Sequence, residues 1–380
     1  MKLPVDACTG CTACQAICPV NAISMKEDDR GFLRPVVDKG KCMECKKCER
    51  VCPAGVSHSG KSVLAAFAAK VKDAAIHSAS QSGGVFYALA EEILAAKGAV
   101  YGAAIDGSFE TCHIRVTDPE GLKRLQGVKY VQSRMGDSFR KVGEDLKIGK
   151  PVLFSGTPCQ VAGVLSYVRS ARLPEERLLT CDVVCYGVPS PGVFRAWMKT
   201  LQRAKGKVLS MQFRRTDAKW GKGKEIYRMA DGSVVEGEFY TGLYFCNQIH
   251  RESCVSCKYC NLSRPGDITL GDFWGIEKVL PECYDDRGVS AVLVNTEKGR
   301  TALEKAASML ILTETTAQTV AQAQPRLQGI PAKHSPHRET FWEKYRKAGM
   351  DYVAMERGFV PPSFRFRLIK RLERIKTARK

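Results

Sequence analysis

The pattern of apolar and polar positions divides the chain into a short first part and a long second one. In residues 22–38 two short strand-like runs flank the turn Asp28-Asp29-Arg30-Gly31, which predicts a hairpin. Beyond residue 80 the period alternates. Val85, Leu89 and Ile93, with Phe86 beside them, mark one face of a helix that Ser82 is expected to cap and Gly98 to stop. Apolar runs at residues 99–105, 111–117, 151–154, 178–185, 268–270 and 291–294 read as strands, and Asp231-Gly232 as a hairpin turn. Helical spacing covers residues 138–148, the stretch after Cys159, and residues 190–204, 296–309 and about 338–347. Strands alternating with helices predict an α/β domain. Residues 58–80, rich in Ala, Ser and Lys, read as a helical connector. The expected organisation is a small α+β module at 1–57, a connector at 58–80, an α/β domain at 81–350 and a tail at 351–380.

Cysteine spacing gives the first part its chemistry. Cys8, Cys11, Cys14 and Cys18 precede Pro19, and Cys42, Cys45, Cys48 and Cys52 precede Pro53. Both runs spell C-x-x-C-x-x-C-x-x-x-C-P, the pattern of a bacterial two-cluster ferredoxin. Three cysteines two residues apart wrap three corners of one cubane, and the fourth is carried off to the other cluster. One [4Fe–4S] cluster is therefore assigned to Cys8, Cys11, Cys14 and Cys52, the other to Cys42, Cys45, Cys48 and Cys18. Zinc sites do not show this eight-cysteine interleaving. Two clusters held close together point to electron transfer.

The chain has 380 residues, 44% hydrophobic and 26% charged, the balance of an ordinary soluble protein. Its start lacks a secretory signal and reaches a metal-type cysteine at position 8, so a cytoplasmic location is expected. Seventeen cysteines, nine of them in C-x-x-C spacing, favour metal over disulfides, and reduced clusters favour an oxygen-poor, anaerobic setting. The formal charge of +19 is compatible with anionic partners. No zinc-finger spacing or aromatic RNA-binding signature accompanies it, so nucleic acid is not expected as a partner. Part of the charge lies in residues 365–380, where Phe364, Leu368, Leu372 and Ile375 fall at helical spacing among Lys and Arg. That tail is a candidate for peripheral contact with an anionic membrane.

Several motifs sit where strands give way to helices. Gln81-Ser82-Gly83-Gly84 opens a helix, a place that suits a pyrophosphate. Ser155 to Gln160 contains Gly156-Thr157-Pro158-Cys159, and Cys181 to Ser190 contains Cys185-Tyr186-Gly187. Cys254, Cys257 and Cys260 stand at metal spacing, and Gly271-Asp272-Phe273-Trp274-Gly275 closes another strand. Together with KYVQS at 129–133, these strings resemble the family of coenzyme F-420 hydrogenase/dehydrogenase beta subunits. The likeness runs over about residues 1–295.

The resemblance implies an FAD-containing domain with a third [4Fe–4S] cluster. For that cluster it points to Cys254 and Cys257, with Cys159 and Cys185 as the remaining ligands. Cys246 and Cys260 leave the set open, whereas Cys112, Cys181 and Cys283 read as small buried hydrophobes. For FAD it places the diphosphate near Ser82, Gly83 and Gly84, and the flavin pocket near Lys129, Tyr130, Gln132 and Ser133. The implied function is an oxidoreductase that passes electrons between ferredoxin-type clusters and an FAD, which exchanges hydride with a two-electron small-molecule substrate, coenzyme F-420 or another. A ferredoxin or another redox protein is the implied partner. The alternative is a non-catalytic electron-relay subunit of a larger redox complex.

Overall fold

The computed structural model describes residues 6–55, 60–215, 219–221 and 224–355. The expected basic helix after residue 360 lies outside the described residues. Among the described residues no helix is long and apolar enough to cross a membrane.

The first module is the expected hairpin beneath two cysteine loops. Strands β1 (Ile23–Glu27) and β2 (Leu33–Val37) pair antiparallel, with Ile23 opposite Val37. The turn between them is closed by Asp28, whose Oδ1 accepts from the amides of Arg30 and Phe32 at 3.1 and 2.8 Å. Gly31 has φ +75°, and a Cβ there would meet the Gly192 backbone at 2.6 Å. The hairpin tip therefore touches the start of helix Pro191–Lys205.

The α/β domain is built on one mixed sheet. Its strands are β3 (Ala65–Val71), β4 (Ala99–Ile105), β5 (Thr111–Val116), β6 (Val152–Gly156) and β7 (Leu178–Val183). A separate small antiparallel sheet holds β8 (Val208–Gln212), β9 (Glu225–Met229) and β10 (Val234–Gly237). The large sheet then continues with β11 (Ile268–Asp272), β12 (Ser290–Val294) and β13 (Leu310–Thr315), in the order β13-β3-β12-β11-β7-β6-β4-β5. Strands β4, β6, β7 and β11 run parallel, and β12 is antiparallel to both β11 and β3. Five strands, β3 included, thus end at one edge of the sheet, where an α/β fold builds its site.

Both faces are covered. Helices Val85–Ala95 and Glu297–Ala306 lay Val85, Leu89 and Leu303 on one face, against Leu153 and Val292. Helices Ser138–Lys147 and Pro158–Ser170 bring Phe139, Val142, Val161 and Val164 to the other, against Tyr101 and Phe154. Cys11, Ala13 and Val51 belong to that second core, so the ferredoxin module is packed into the domain.

Two expectations are corrected here. The stretch read as a helical connector contains β3 and the helix Ala74–Ser80, and β3 pairs with both β12 and β13. Its Ala66 and Ala68 face one core while Ala69 and Val71 face another. An alanine-rich strand buried on both sides shows no polar alternation, and so looks like a helix former. The second correction concerns Ser82. The cap of helix Val85–Ala95 is Gly84, in the left-handed conformation at φ 78°, while Ser82 Oγ sits 3.4 Å from Ser290 Oγ.

Candidate functional site

The eight cysteines of the first module fall into two groups. Thr12 and Lys46 take left-handed conformations (φ 67° and 57°) ahead of the one-turn helices Ala13–Ala16 and Lys47–Arg50. This turns the following amides onto sulfur, as with Ala13 on Cys11 and Gln15 on Cys14. Cys14 has Cys11, Cys8 and Cys52 as its thiol neighbours. Cys18, Cys42, Cys45 and Cys48 line one cavity of about 100 Å³. The fourth cysteine of each run thus joins the other run's group, as the interleaved pattern requires. Burial pushes the Cys11 thiol up to about 12 and that of Cys14 up as well. Buried thiols of this kind ionise when a cation compensates them, which is the chemistry of a cluster-binding donor set. Among the described residues no three His, Cys, Asp or Glu side chains gather tightly enough for a single ion. The donor set and the cavity fit a cubane instead.

A third group of thiols lies at the carboxyl edge of the sheet. Cys159 is the second residue of the helix that follows β6, and Cys185 lies two residues past β7. Cys254 ends a short 3-10 turn, and Cys257 follows it. All four interact: Cys185 is near Cys254, Cys159 and Cys257, and Cys254 is near Cys159 and Cys257. The Gly187 amide donates to Cys185 Sγ and the Val188 amide to Cys254 Sγ, both at 3.4 Å. Thr157 Oγ1 is 3.1 Å from Cys159 Sγ. Burial pushes Cys254 up to about 12 and raises Cys185, whereas a hydrogen bond from Cys260 holds Cys257 below its ordinary range. Cys260 is buried beside the group and remains a fifth thiol within it. Of the three cysteines read as buried hydrophobes, Cys181 is fully buried, while Cys112 and Cys283 are only half-buried.

Arg264 pins the loop that carries Cys254, Cys257 and Cys260. It is buried, donates through Nε and Nη2 to Asp182 Oδ1 at 3.0 and 2.6 Å, and holds the Tyr259 carbonyl with Nη1. This third group adjoins the first module. Cys11 has Cys159 among its neighbours, and Tyr259 lies near Cys159, Cys11, Cys257 and Cys52.

The seven residues expected around FAD divide in two. Gly83 is pressed into the sheet edge, where a Cβ would lie 2.1 Å from the Ala69 carbonyl oxygen and 2.6 Å from the Ser290 nitrogen. Ser82 lies beside Gly288 and Trp220. Lys129 is buried, which pushes its ammonium down to about 7, and it donates to the carbonyls of Leu125, Gln126 and Gly127. Gln132 faces the first module, donating to the Thr9 carbonyl and accepting from Arg251. Ser133 bonds His113 Nδ1 at 2.8 Å and accepts from Gln160 at 3.0 Å. These last three have their polar groups engaged within the protein.

Tyr130 is different. It packs on Tyr244 and Phe245, with the Arg214 guanidinium 5.4 Å from its ring centre. Arg214 also pairs with Asp272 at 2.8 Å and lies over Trp274, itself stacked on Trp220. Tyr244 stacks on His250 and has Cys185 as a neighbour. Among the described residues, Trp220 Nε1 and both ring nitrogens of His250 are buried without a hydrogen-bond partner. An aromatic region with orphaned polar atoms, between Ser82 and the third thiol group, fits a flat polar ring system. Sequence reasoning missed Arg214, Trp220, Tyr244 and His250, which no short motif links to one another; Trp274 stood inside a quoted motif without a role.

The 4Fe-4S dicluster domain model matches residues 7–56, and the model of the C terminus of the coenzyme F420 hydrogenase/dehydrogenase beta subunit matches residues 149–319. The chain is 27% identical over 168 residues to a subunit of the F(420)H(2) dehydrogenase of Methanosarcina mazei, 41% of this chain and 46% of that protein. It thus spans about half the length of that relative. It is 42% identical over 55 residues to Ferredoxin-3 of Chlorobaculum tepidum, 13% of this chain and 81% of that protein. A chain of the F420-reducing [NiFe] hydrogenase complex from Methanosarcina barkeri matches with a TM-score of 0.49 and 18% identity, covering 68% of this chain and 84% of that one.

Proposed function

We propose that this chain, which carries a 4Fe-4S dicluster domain and the C-terminal domain of coenzyme F420 hydrogenase/dehydrogenase beta subunits, is an iron–sulfur flavoprotein oxidoreductase joining a two-electron substrate to one-electron carriers. The ferredoxin cysteines would hold two [4Fe–4S] clusters, and Cys159, Cys185, Cys254 and Cys257 a third. FAD would lie along the carboxyl edge of the sheet, from Ser82 past Arg214 and Tyr130 towards Tyr244. A flavin accepts a hydride and gives up electrons singly, which is what links the two kinds of carrier. Arg214 brings a fixed positive charge to this edge, held by Asp272. The substrate would be the deazaflavin coenzyme or another two-electron carrier, and the partner a ferredoxin or another redox protein, in a reducing cytoplasm.

The observation that carries this reading is the contiguity of thiols and aromatic region: Cys11 neighbours Cys159, and Cys185 neighbours Tyr244. A second reading, a relay protein without chemistry of its own, draws on the Methanosarcina mazei relative being one part of a larger dehydrogenase. Anaerobic purification with iron, sulfide and flavin analysis separates them. About twelve irons with one FAD, and turnover of deazaflavin by the chain alone, is the expected result. About eight irons without flavin would favour the relay.

A further inference from the structure

Arg251 is fully buried, and its guanidinium is directed at the first ferredoxin group. Nε donates to the Cys8 carbonyl at 2.8 Å and Nη2 to the Leu33 carbonyl at 2.9 Å, while Nη2 lies 3.7 Å from the Cys8 sulfur. Nη1 donates to Gln132 Oε1 at 3.1 Å, and the Phe32 ring covers the group at 5.3 Å. The negative groups acting on it are thiols: Cys8 of the first ferredoxin group, and Cys254 and Cys159 of the third. A buried guanidinium is costly unless it is paired, and here the partners are cluster ligands.

The two halves of the ferredoxin module differ at this point. A Cβ on Gly10, which has φ +71°, would lie 2.9 Å from Arg251 Nη1, so glycine leaves the space for the cation. The matching position of the second run, between Cys42 and Cys45, is Glu44, exposed and lining the cavity of the second group. One group therefore faces a buried positive charge, and the other only solvated charges of both signs, Glu44 and Glu49 with Lys46 and Lys47.

We propose that Arg251 is a counter-ion shared by the Cys8/Cys11/Cys14/Cys52 group and the third thiol group, and that it sets the first ferredoxin cluster at a higher reduction potential than the second. The inference rests on the reading that these thiols hold clusters. One-electron reduction adds a negative charge to a cluster. A fixed cation in a dry interior favours that charge, and charge, hydrogen bonding and exposure set such potentials. Glu44 acts the other way at the second group, weakly because water screens it. The consequence is a downhill step from the exposed cluster to the one beside Cys159.

The test is a redox titration of the full, cluster-loaded chain with dithionite, followed by electron paramagnetic resonance. In the unaltered chain the two ferredoxin signals should titrate separately, and coincident titration overturns the proposal. Glu44→Gln should move only the lower one, upwards. Arg251→Gln should lower the higher one by at least tenfold in its reduction equilibrium, about 59 mV for one electron, and Arg251→Lys by less. Wild-type potentials in an Arg251→Gln protein that retains about twelve irons overturn it. Where Arg251→Gln loses iron, Gln132→Glu sets a carboxylate against the guanidinium, and should give the same downward shift; an unchanged potential there is equally fatal. A wild-type chain without iron on these thiols would sink the underlying cluster reading instead.

Discussion

Arg264 and Asp182 form an ion pair exposed by 1% and 0%, with Gly266 and Thr269 also donating to the carboxylate. Through the Tyr259 carbonyl, the arginine fixes the loop of Cys254, Cys257 and Cys260 to the end of β7. Breaking such a pair from one side leaves a buried charge and costs about 3–5 kcal/mol. On the proposed reading that the third group holds a cluster, Arg264→Ala is therefore expected to lose that iron before that of the ferredoxin module, as iron analysis and denaturant unfolding would show. Retention of all the iron would mean that the loop is held by other contacts. His113 offers a second test at this scale. It is stacked on Phe154 and bonded to Ser133 and the Ser155 carbonyl, and burial pushes it down to about 4. The unfolded chain binds that proton at about 6.5. Between these values the unfolded state binds more protons, so stability falls as pH drops through the window, by up to about 3 kcal/mol. His113→Asn should show a flatter pH dependence of unfolding between pH 4 and 6.5, and an unchanged slope would exclude the histidine as its source.

The segment from β3 to helix Val85–Ala95 shows what an element demands of its residues. Val71 N–H donates to the Gly83 carbonyl at 2.7 Å, and Gly83 has no room for a methyl group between Ala69 and Ser290. Gly83→Ala must push the helix start away from the sheet edge, a strain of about 1–3 kcal/mol. Ser82→Ala, which removes only a 3.4 Å contact with Ser290 Oγ, should leave stability nearly unchanged. Thermal unfolding of the two variants checks this, and equal losses would place the constraint elsewhere. The serine was legible as a cap because the residue type fits, yet the chain turns two residues later, at Gly84. Strand β3 was hidden for a related reason: its role is set by β12 and β13, far along the chain, and not by its own alanines. The grouping of the ferredoxin cysteines was legible, because a C-x-x-C run constrains itself locally. The aromatic region was not, since Tyr130, Arg214, Tyr244 and His250 meet only after folding.

Taken whole, the molecule has a dry end and a wet end. The third thiol group and the first ferredoxin group lie against the domain, with Cys11 in its core, while the second group opens to solvent through a cavity lined by Met43, Glu44, Lys46 and Lys47. Met43 is 62% exposed, and Lys39, Lys41, Lys46, Lys47 and Arg50 are exposed in the same stretch of chain, with Asp38 and Glu44. An exposed apolar side chain beside Lys46 and Lys47, in a stretch with more exposed basic than acidic residues on a chain of formal charge +19, is suited to an acidic redox protein. Encounter between opposite charges is a matter of rate, and salt of about 0.15 M confines its reach to about 8 Å. Reversing Lys46 and Lys47 to Glu should slow reduction by an acidic ferredoxin by on the order of tenfold at low salt, and less at high salt. The iron content should stay the same, because neither side chain is a ligand. Stopped-flow reduction over a salt series reads this directly. Equal rates for the two proteins at every salt concentration would move the point of entry away from the second cluster.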